Sequence, residues 1–405
     1  VTCQTLFKTI RLREFLSYGP SAQEISLGRL NVLIGPNGSG KSNLIEAISV
    51  LQATPRDLPR PIREGGGVAE WLWKGPQARG VAEIEVTTEC PIVVEPLRYR
   101  LSFAQSGQRF DVTDEAIENA IKSDPTEDDV YFYYRYQQGR PVLNTRTRVE
   151  GAESQGRNGF RRTLKKESVS SEQSILSQKV DADLYPEMTW LGEQYKAVKL
   201  YREWSFGRNT ILRKPQQVDL PGDFLLDDGS NMGLILNDLL HRGIRKTIIE
   251  KLRHFYDGIE DVTTKVLGGT IQVFLHEEGV KQPIPATRLS DGTLRYLCLL
   301  CVLLHPDPPS LVCIEEPELG IHPDILHRIG EMLVGASERT QLIVTTHSDV
   351  LVSALSETPD SVIVCERGIT GTNLMRLEKD KLQSWLKDYS LGEIWRMGEI
   401  GGNRW

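Results

Sequence analysis

Apolar and polar positions fall into three textures along the chain. In the first, "TLFKTIRLREF" (5–15) alternates well enough for an opening strand. "RLNVLIG" (29–35) is the run of a buried strand that enters a loop at Gly35. "SNLIEAISVLQ" (42–52) then sets Leu44, Ile45, Ile48 and Leu51 at helical spacing. Residues 56–80 are rich in Pro and Gly and read as a loop.

In the second texture, "VAEIEVTTE" (81–89) and "LRYRLSFAQ" (97–105) look like antiparallel strands, and "DDVYFYYRYQ" (128–137) and "VLNTRTRVE" (142–150) extend the pattern. Residues 151–174 are polar, break the periodicity and read as a mobile connection. Residues 187–205 and 231–257 look helical, and 260–278 looks like a hairpin turning at Gly268-Gly269.

The third texture starts at Leu289. A helix (293–304), a strand (310–316), a helix (322–336), a strand (341–348), another helix and the strand "SVIVCER" (361–367) alternate. That order implies a parallel sheet covered by helices. The expected fold class is therefore α/β: a mixed or parallel sheet with flanking helices, an antiparallel β subdomain and a helical insertion. The expected divisions are 1–175, 176–285 and 286–405. No internal repeat and no long heptad array interrupts them.

Composition narrows the class. A chain of 405 residues exceeds one ordinary core. Its formal net charge of -7 excludes a polycation that coats nucleic acid, so any DNA contact must be a local patch. The longest apolar run, "YLCLLCVLLH" (296–305), is too short to span a bilayer, and no charged-then-apolar signal opens the chain. The six cysteines are scattered, which fits a reduced cytoplasm better than a disulfide framework. Cys298 and Cys301 form a lone CxxC inside a helix-period apolar run, which favours core packing over a zinc site.

Between the buried strand and the helix, Gly35-Pro36-Asn37-Gly38-Ser39-Gly40-Lys41-Ser42 matches G-x-x-x-x-G-K-[ST] without gaps, and Asn43 follows. The glycines let backbone N–H groups curl around an anion, and the helix aims its positive end at the same place. Lys41 is expected to reach the β- and γ-phosphates, and Ser42 to offer a hydroxyl to Mg2+. The bland alternative is a glycine-rich turn that happens to carry Lys-Ser.

Three further signals follow. Leu289-Ser290-Asp291-Gly292 opens a helix, where a hydroxyl and backbone N–H groups would meet a phosphate or serve as an ordinary N-cap. "LVCIEEPELGIHP" (311–323) delivers Glu315 and Glu316 at a strand end. Two adjacent acids there are costly without a cation, so Glu315 is a candidate Mg2+ ligand and Glu316 a candidate general base. "VTTHSD" (344–349) brings His347 to the same edge, to bond the γ-phosphate, to orient water, or to stand as a satisfied edge histidine. His347, Ser348 and Asp349 are sequence neighbours, which argues against a hydrolase triad.

Phosphate loop, LSxG, acidic strand and histidine, in this order, resemble the ABC-type ATPases, and within them the RecF, SMC and OLD-like branch. The closer likeness rests on "LIGPNGSGKSNLIEAI", "LSDGTLRYL", "IEEPELGIHP" and "TTHS", with the tail "YSLGEIWRMGEIGGNRW" (389–405) similar to RecF-type bacterial ATPases. It implies an ABC-type P-loop NTPase that binds ATP and Mg2+ in a head-to-tail homodimer or an assembly of dimers. Leu289, Ser290, Asp291 and Gly292 of one copy would close on the nucleotide held by Lys41 of the other. Two departures stand out. Glu315 replaces the usual Asp, and spacing identifies no Q-loop glutamine, leaving Gln173 and Gln178 as candidates beside the reading of a solvated linker.

Residues 43–288 separate the loop from the signature, more than a transporter ATPase needs, and no coiled coil fills that gap as in a long-armed SMC protein. Residues 348–405 are too few for a Toprim nuclease and carry no D-x-D pair, so a cutting activity would sit on a separate nuclease or effector subunit. The best DNA patch is Arg157, Arg161, Arg162, Lys165 and Lys166, which also reads as a solvated basic loop. Tyr131 to Tyr136 read as sheet packing rather than base stacking. The expectation is an Mg-ATPase of DNA repair or anti-phage defence, or else a nucleotide-gated scaffold that restrains an effector with little turnover.

Overall fold

The computed structural model describes residues 5–21, 23–123, 129–137, 139–145, 153–154, 160–165, 168–202 and 204–402. Its centre is a six-stranded sheet in the order Lys199–Tyr201, Leu311–Glu315, Gln341–Thr345, Leu30–Ile34, Val362–Gly368, Gly371–Arg376. The first five strands run parallel and the last turns back antiparallel. Parallel strands are buried on both faces, which is why Leu30–Ile34 and Gln341–Thr345 are apolar-rich rather than alternating, and every residue of both is buried.

Two cores sit on the two faces. Val32, Ile34, Val312, Ile314 and Val344 face one, with the helices Met232–His241, Asp291–Leu303 and Pro323–Ala336. Leu33, Cys313, Ile343 and Cys365 face the other, with the helix Lys41–Ala53 and a nine-stranded antiparallel sheet. That sheet runs from Glu24–Ser26 through Phe7–Arg13, Val81–Thr88, Leu97–Ser106, Arg109–Asn119, Phe132–Gln137 and Arg140–Thr145 to Phe160–Thr163 and Glu153–Ser154. A smaller sheet holds the hairpin Ile259–Leu267 and Thr270–Glu277, turning at Gly268-Gly269.

Several expected elements take a different form. Residues 56–80 contain short helices, Pro59–Glu64 and Val68–Trp71, that bury Ile62, Val68 and Trp71. The expected helix over 187–205 ends at Ala197, because Lys199–Tyr201 pairs with the edge of the central sheet. The expected helix over 231–257 is two helices, broken at Gly243 with φ 88. Within 151–174, Phe160–Thr163 adds a strand to Arg140–Thr145, with Arg161 opposite Asn144. Tyr133, Tyr134 and Tyr136 are buried, as sheet packing requires. Cys298 and Cys301 lie in the core. No helix among the described residues is long and apolar enough to cross a membrane.

Buried side chains staple the layers. The fully buried Gln341 accepts from Phe7 N (2.9 Å) and donates to Phe7 O (2.8 Å) and Gly28 O (2.9 Å). Gln341→Leu removes these three bonds, although Gly28 O keeps a donor in Asn31 Nδ2 (2.8 Å), and should cost about 2 kcal/mol, read as a lower urea midpoint with an unchanged slope.

Glu115 is buried in the nine-stranded sheet, where it accepts from Tyr99 Oη (2.8 Å), the Ser174 hydroxyl and Ile175 N (3.0 Å). Burial pushes its carboxyl up to about 7. The folded state therefore holds a proton there that the unfolded chain has lost. Stability should fall as pH rises from the ordinary glutamate range to about 7, and this slope should flatten in Glu115→Gln, measured by chemical denaturation at stepped pH.

Candidate functional site

The strand Leu30–Ile34 delivers Gly35 at φ 143, where an added Cβ would lie 2.2 Å from the Cys365 carbonyl oxygen, so no other residue fits. The loop closes at Gly40, φ 103, against Thr372 and Ser17, and the helix Lys41–Ala53 follows without a side-chain cap. Its first N–H groups are thus left to face a ligand. Lys41 is buried, and its ammonium donates to Gly35 O (2.7 Å) and Pro36 O (3.1 Å). Burial lowers its pKa, while Cys365, Glu316 and Glu318 oppose the shift. Asn37, Gly38 and Ser42 are exposed, whereas Ser39 is buried. Asn43 turns to the Ser17 hydroxyl (2.7 Å).

Residues outside the motif hold the loop's shape. Tyr18 Oη donates to Gly40 O (3.1 Å), Thr372 Oγ1 donates to Ser39 O (2.9 Å), and Ser17 bonds Thr372 (2.7 Å). Tyr18 and Thr372 also line a cavity of about 430 Å³ between the strands Phe7–Arg13 and Gly371–Arg376. At the chain's far end, Gly402 N donates to Glu366 (2.9 Å), and a Cβ on Gly402 would stand 3.4 Å from Gly35 Cα.

The acidic strand ends beside the same loop. Glu315 pairs in register with Thr345, and burial raises its carboxyl pKa, partly offset by Arg202. Arg202 follows the edge strand Lys199–Tyr201, with Nε 3.4 Å from Glu315 Oε1 and Nη2 2.6 Å from Glu46 Oε1. Glu316 takes a left-handed backbone, φ 46, fixed by its N–H on Thr345 O (3.0 Å), and its Oε1 lies 3.5 Å from His347 Nε2. Burial, and after it the Lys41 charge, lowers the His347 pKa, so the imidazole is neutral near pH 7. Glu318 accepts from Thr346 Oγ1 (2.8 Å) and His347 N (2.7 Å), and its pKa is raised by burial.

The LSxG turn is built on Arg213. Its guanidinium donates to Leu289 O, to Phe206 O (2.9 Å) and to the Asp291 carboxylate. Ser290 caps the helix Asp291–Leu303 by accepting from Thr293 N (3.0 Å). Ser290 and Asp291 are exposed, and a Cβ on Gly292 would stand 2.7 Å from Gly320 O. From the same helix, Arg295 donates to Glu316 O (3.4 Å).

Lys41, Glu315, Glu316 and His347 are thus brought to one sheet edge. Gln173 and Gln178 are not. Gln173 bonds Leu58 N (3.2 Å) and Asp57 (3.1 Å), beyond the far end of the helix Lys41–Ala53, and Gln178 bonds Ser170. Arg161, Arg162 and Lys165 lie in or just after the strand Phe160–Thr163, with Arg161 5.2 Å over the Phe132 ring. Arg157 and Lys166 lie outside the described residues. Sequence reasoning missed Arg202, Glu318, Tyr18 and Thr372. Only Glu318 left a trace, as the third acid of "EEPE".

Residues 30–353 match the family model described as "AAA domain, putative AbiEii toxin, Type IV TA system". The chain belongs to this AAA-domain family. No curated protein matches this AAA-domain chain. Among solved structures it resembles an Smc head bound to the C-terminal winged-helix domain of ScpA, at 14% identity and TM-score 0.57 over 93% of this chain and 99% of that one. It also resembles an Smc head with an extended coiled coil bound to the C-terminal domain of ScpA, from Pyrococcus furiosus, at 11% identity and TM-score 0.58 over 95% and 99%. An Smc head with a coiled coil and joint from Pyrococcus yayanosii matches at 10% and TM-score 0.51, over 95% and 99%. The AAA-domain chain thus has the ABC-type P-loop ATPase fold.

The site fits a magnesium ion held jointly with phosphates. Among the described residues no group of three or more His, Cys, Asp or Glu could hold a metal by itself. Ser42 offers an exposed hydroxyl, and Glu315 Oε1 is buried, with the Arg202 Nε 3.4 Å away. Mg2+ ordinarily takes one or two protein oxygens and fills its octahedron with phosphate and water.

Glu318→Ala removes the acceptor of the buried Thr346 hydroxyl and of the His347 N–H, and should cost about 1–2 kcal/mol in a denaturant titration. Glu318→Gln, which keeps an acceptor oxygen, should cost less.

Proposed function

We propose that this AAA-domain chain is an Mg-dependent ATP hydrolase of the RecF, SMC and OLD-like branch, working as a head-to-tail pair of copies. Lys41 leaves the Gly35 and Pro36 carbonyls for the β- and γ-phosphate oxygens of ATP. Backbone N–H groups from Gly35 to Ser42, with the helix N-terminus behind them, hold the rest of the triphosphate. Glu316 takes the proton of the attacking water as general base. His347, neutral and held through its N–H on Glu318, bonds the γ-phosphate or orients that water. A magnesium ion on Ser42, Glu315 and phosphate oxygens would neutralise charge on the transferred group.

The observation that carries this reading is the approach of Glu316 to His347, 3.5 Å apart, at the sheet edge that also carries the phosphate loop and Lys41. The pairing of copies is supported by the exposure of Ser290 and Asp291 at a helix start. Leu289 to Gly292 of one copy would then close on the triphosphate of the other, making ATP the glue of the pair.

The work done by the cycle is DNA repair or anti-phage defence, through DNA, a separate nuclease or effector subunit, or both. The family description points to a putative toxin system, and two of the similar Smc heads are bound to a domain of ScpA. Arg161 and Lys165, both exposed, give a basic surface that would make DNA binding fall with salt. One observation favours a slower, nucleotide-gated scaffold: Arg202 stands on Glu315, where the metal would bind.

Glu316→Gln should bind Mg-ATP, lose hydrolysis by about 10²-fold or more, and persist as a dimer in light scattering. A monomer with and without Mg-ATP overturns the paired reading, and undiminished turnover overturns the role of Glu316.

A further inference from the structure

Arg202 is the side chain at the acidic strand end that the reaction does not use. The edge strand Lys199–Tyr201 runs parallel to Leu311–Glu315 with Tyr201 opposite Ile314, so Arg202 and Glu315 leave the sheet side by side. Its guanidinium approaches Glu315 Oε1 at 3.4 Å and bonds Glu46 Oε1 at 2.6 Å. Glu46 stands four residues after Ser42, one turn along the same helix face. Arg202 therefore lies between Glu315, a candidate magnesium ligand, and a second acid on the phosphate-loop helix.

Side-chain exposures of 26% for Arg202, 26% for Glu46 and 18% for Glu315 mean that water screens these charges only in part. A guanidinium stays charged at any working pH, so it cannot be silenced by losing a proton. It can only move. A divalent cation on Glu315 Oε1 repels a guanidinium at the same oxygen, and Glu46 offers the displaced group a carboxylate of its own. Lys41 shows the same economy, since its ammonium rests on loop carbonyls.

We propose that Arg202 is a resident counter-cation that occupies Glu315 until magnesium and nucleotide displace it toward Glu46. The arrangement raises the magnesium concentration that nucleotide binding requires, and it couples the edge strand to the state of the site. Arg202 is a positioning residue here. The inference rests on the ATP-binding reading of this site.

The test titrates magnesium against binding of a fluorescent, non-hydrolysable ATP analogue to the full chain. Arg202→Gln should lower the half-saturating magnesium about tenfold, and Arg202→Lys should stay near wild type. Glu46→Gln removes the second carboxylate toward which the guanidinium would shift and should raise the requirement. An unchanged or higher magnesium requirement in Arg202→Gln overturns the proposal, as does an unchanged one in Glu46→Gln. A second measurement does not depend on nucleotide: magnesium alone should raise the melting temperature of Arg202→Gln more than that of wild type, and equal shifts overturn the proposal. Wild type that binds no analogue at any magnesium concentration overturns the ATP-binding reading instead, and the melting comparison then decides the role of Arg202.

Discussion

Three carboxylates, Glu315, Glu316 and Glu318, crowd the end of one buried strand, and the arrangement around them follows from the need to offset that charge. Burial alone would favour protonating Glu315 and Glu318. Cations and N–H donors converge instead from separate parts of the chain. Arg202 comes from the edge strand, Lys41 from the helix after the phosphate loop, and Arg295 from the helix that begins at Ser290. His347 and Thr346 arrive from the neighbouring strand. Moving any one of them shifts the balance felt by the rest, so the loop, the acid cluster and the LSxG helix form one electrostatic unit.

The packing makes that unit precise in position. The central sheet is buried on both faces, so its strand ends cannot drift without disturbing two cores at once. Gln341 ties the nine-stranded sheet to the central one through Phe7 and Gly28. Tyr18 and Thr372 reach the phosphate loop from two further segments. The loop is held by its neighbours as much as by its own glycines.

The compact motifs were legible because their chemistry is local. Eight residues define the phosphate loop, and a strand ending in Glu-Glu is visible from its apolar run. The α/β alternation after Leu289 was legible for the same reason, since each element is long enough to show its period. Arg202 was not, because its strand is three residues long and looks like the tail of the preceding helix. Gln173 and Gln178 attracted notice through residue type alone, and the chain folds them beyond the far end of the phosphate-loop helix. The strand at Phe160–Thr163 was read as a connection because it is four residues long and carries no apolar alternation, so its pairing with Arg140–Thr145 left no local signal.

The sheet order has a consequence for how the chain is born. Leu30–Ile34 leaves the ribosome before both of its hydrogen-bonding neighbours, which come from residues 342–345 and 362–364. Its hydrogen-bonding edges stay unpaired while the intervening residues are translated. Such distant pairing slows folding and leaves a sticky strand in the nascent chain. Chaperone protection during synthesis is the natural requirement of a site whose first half waits for its last.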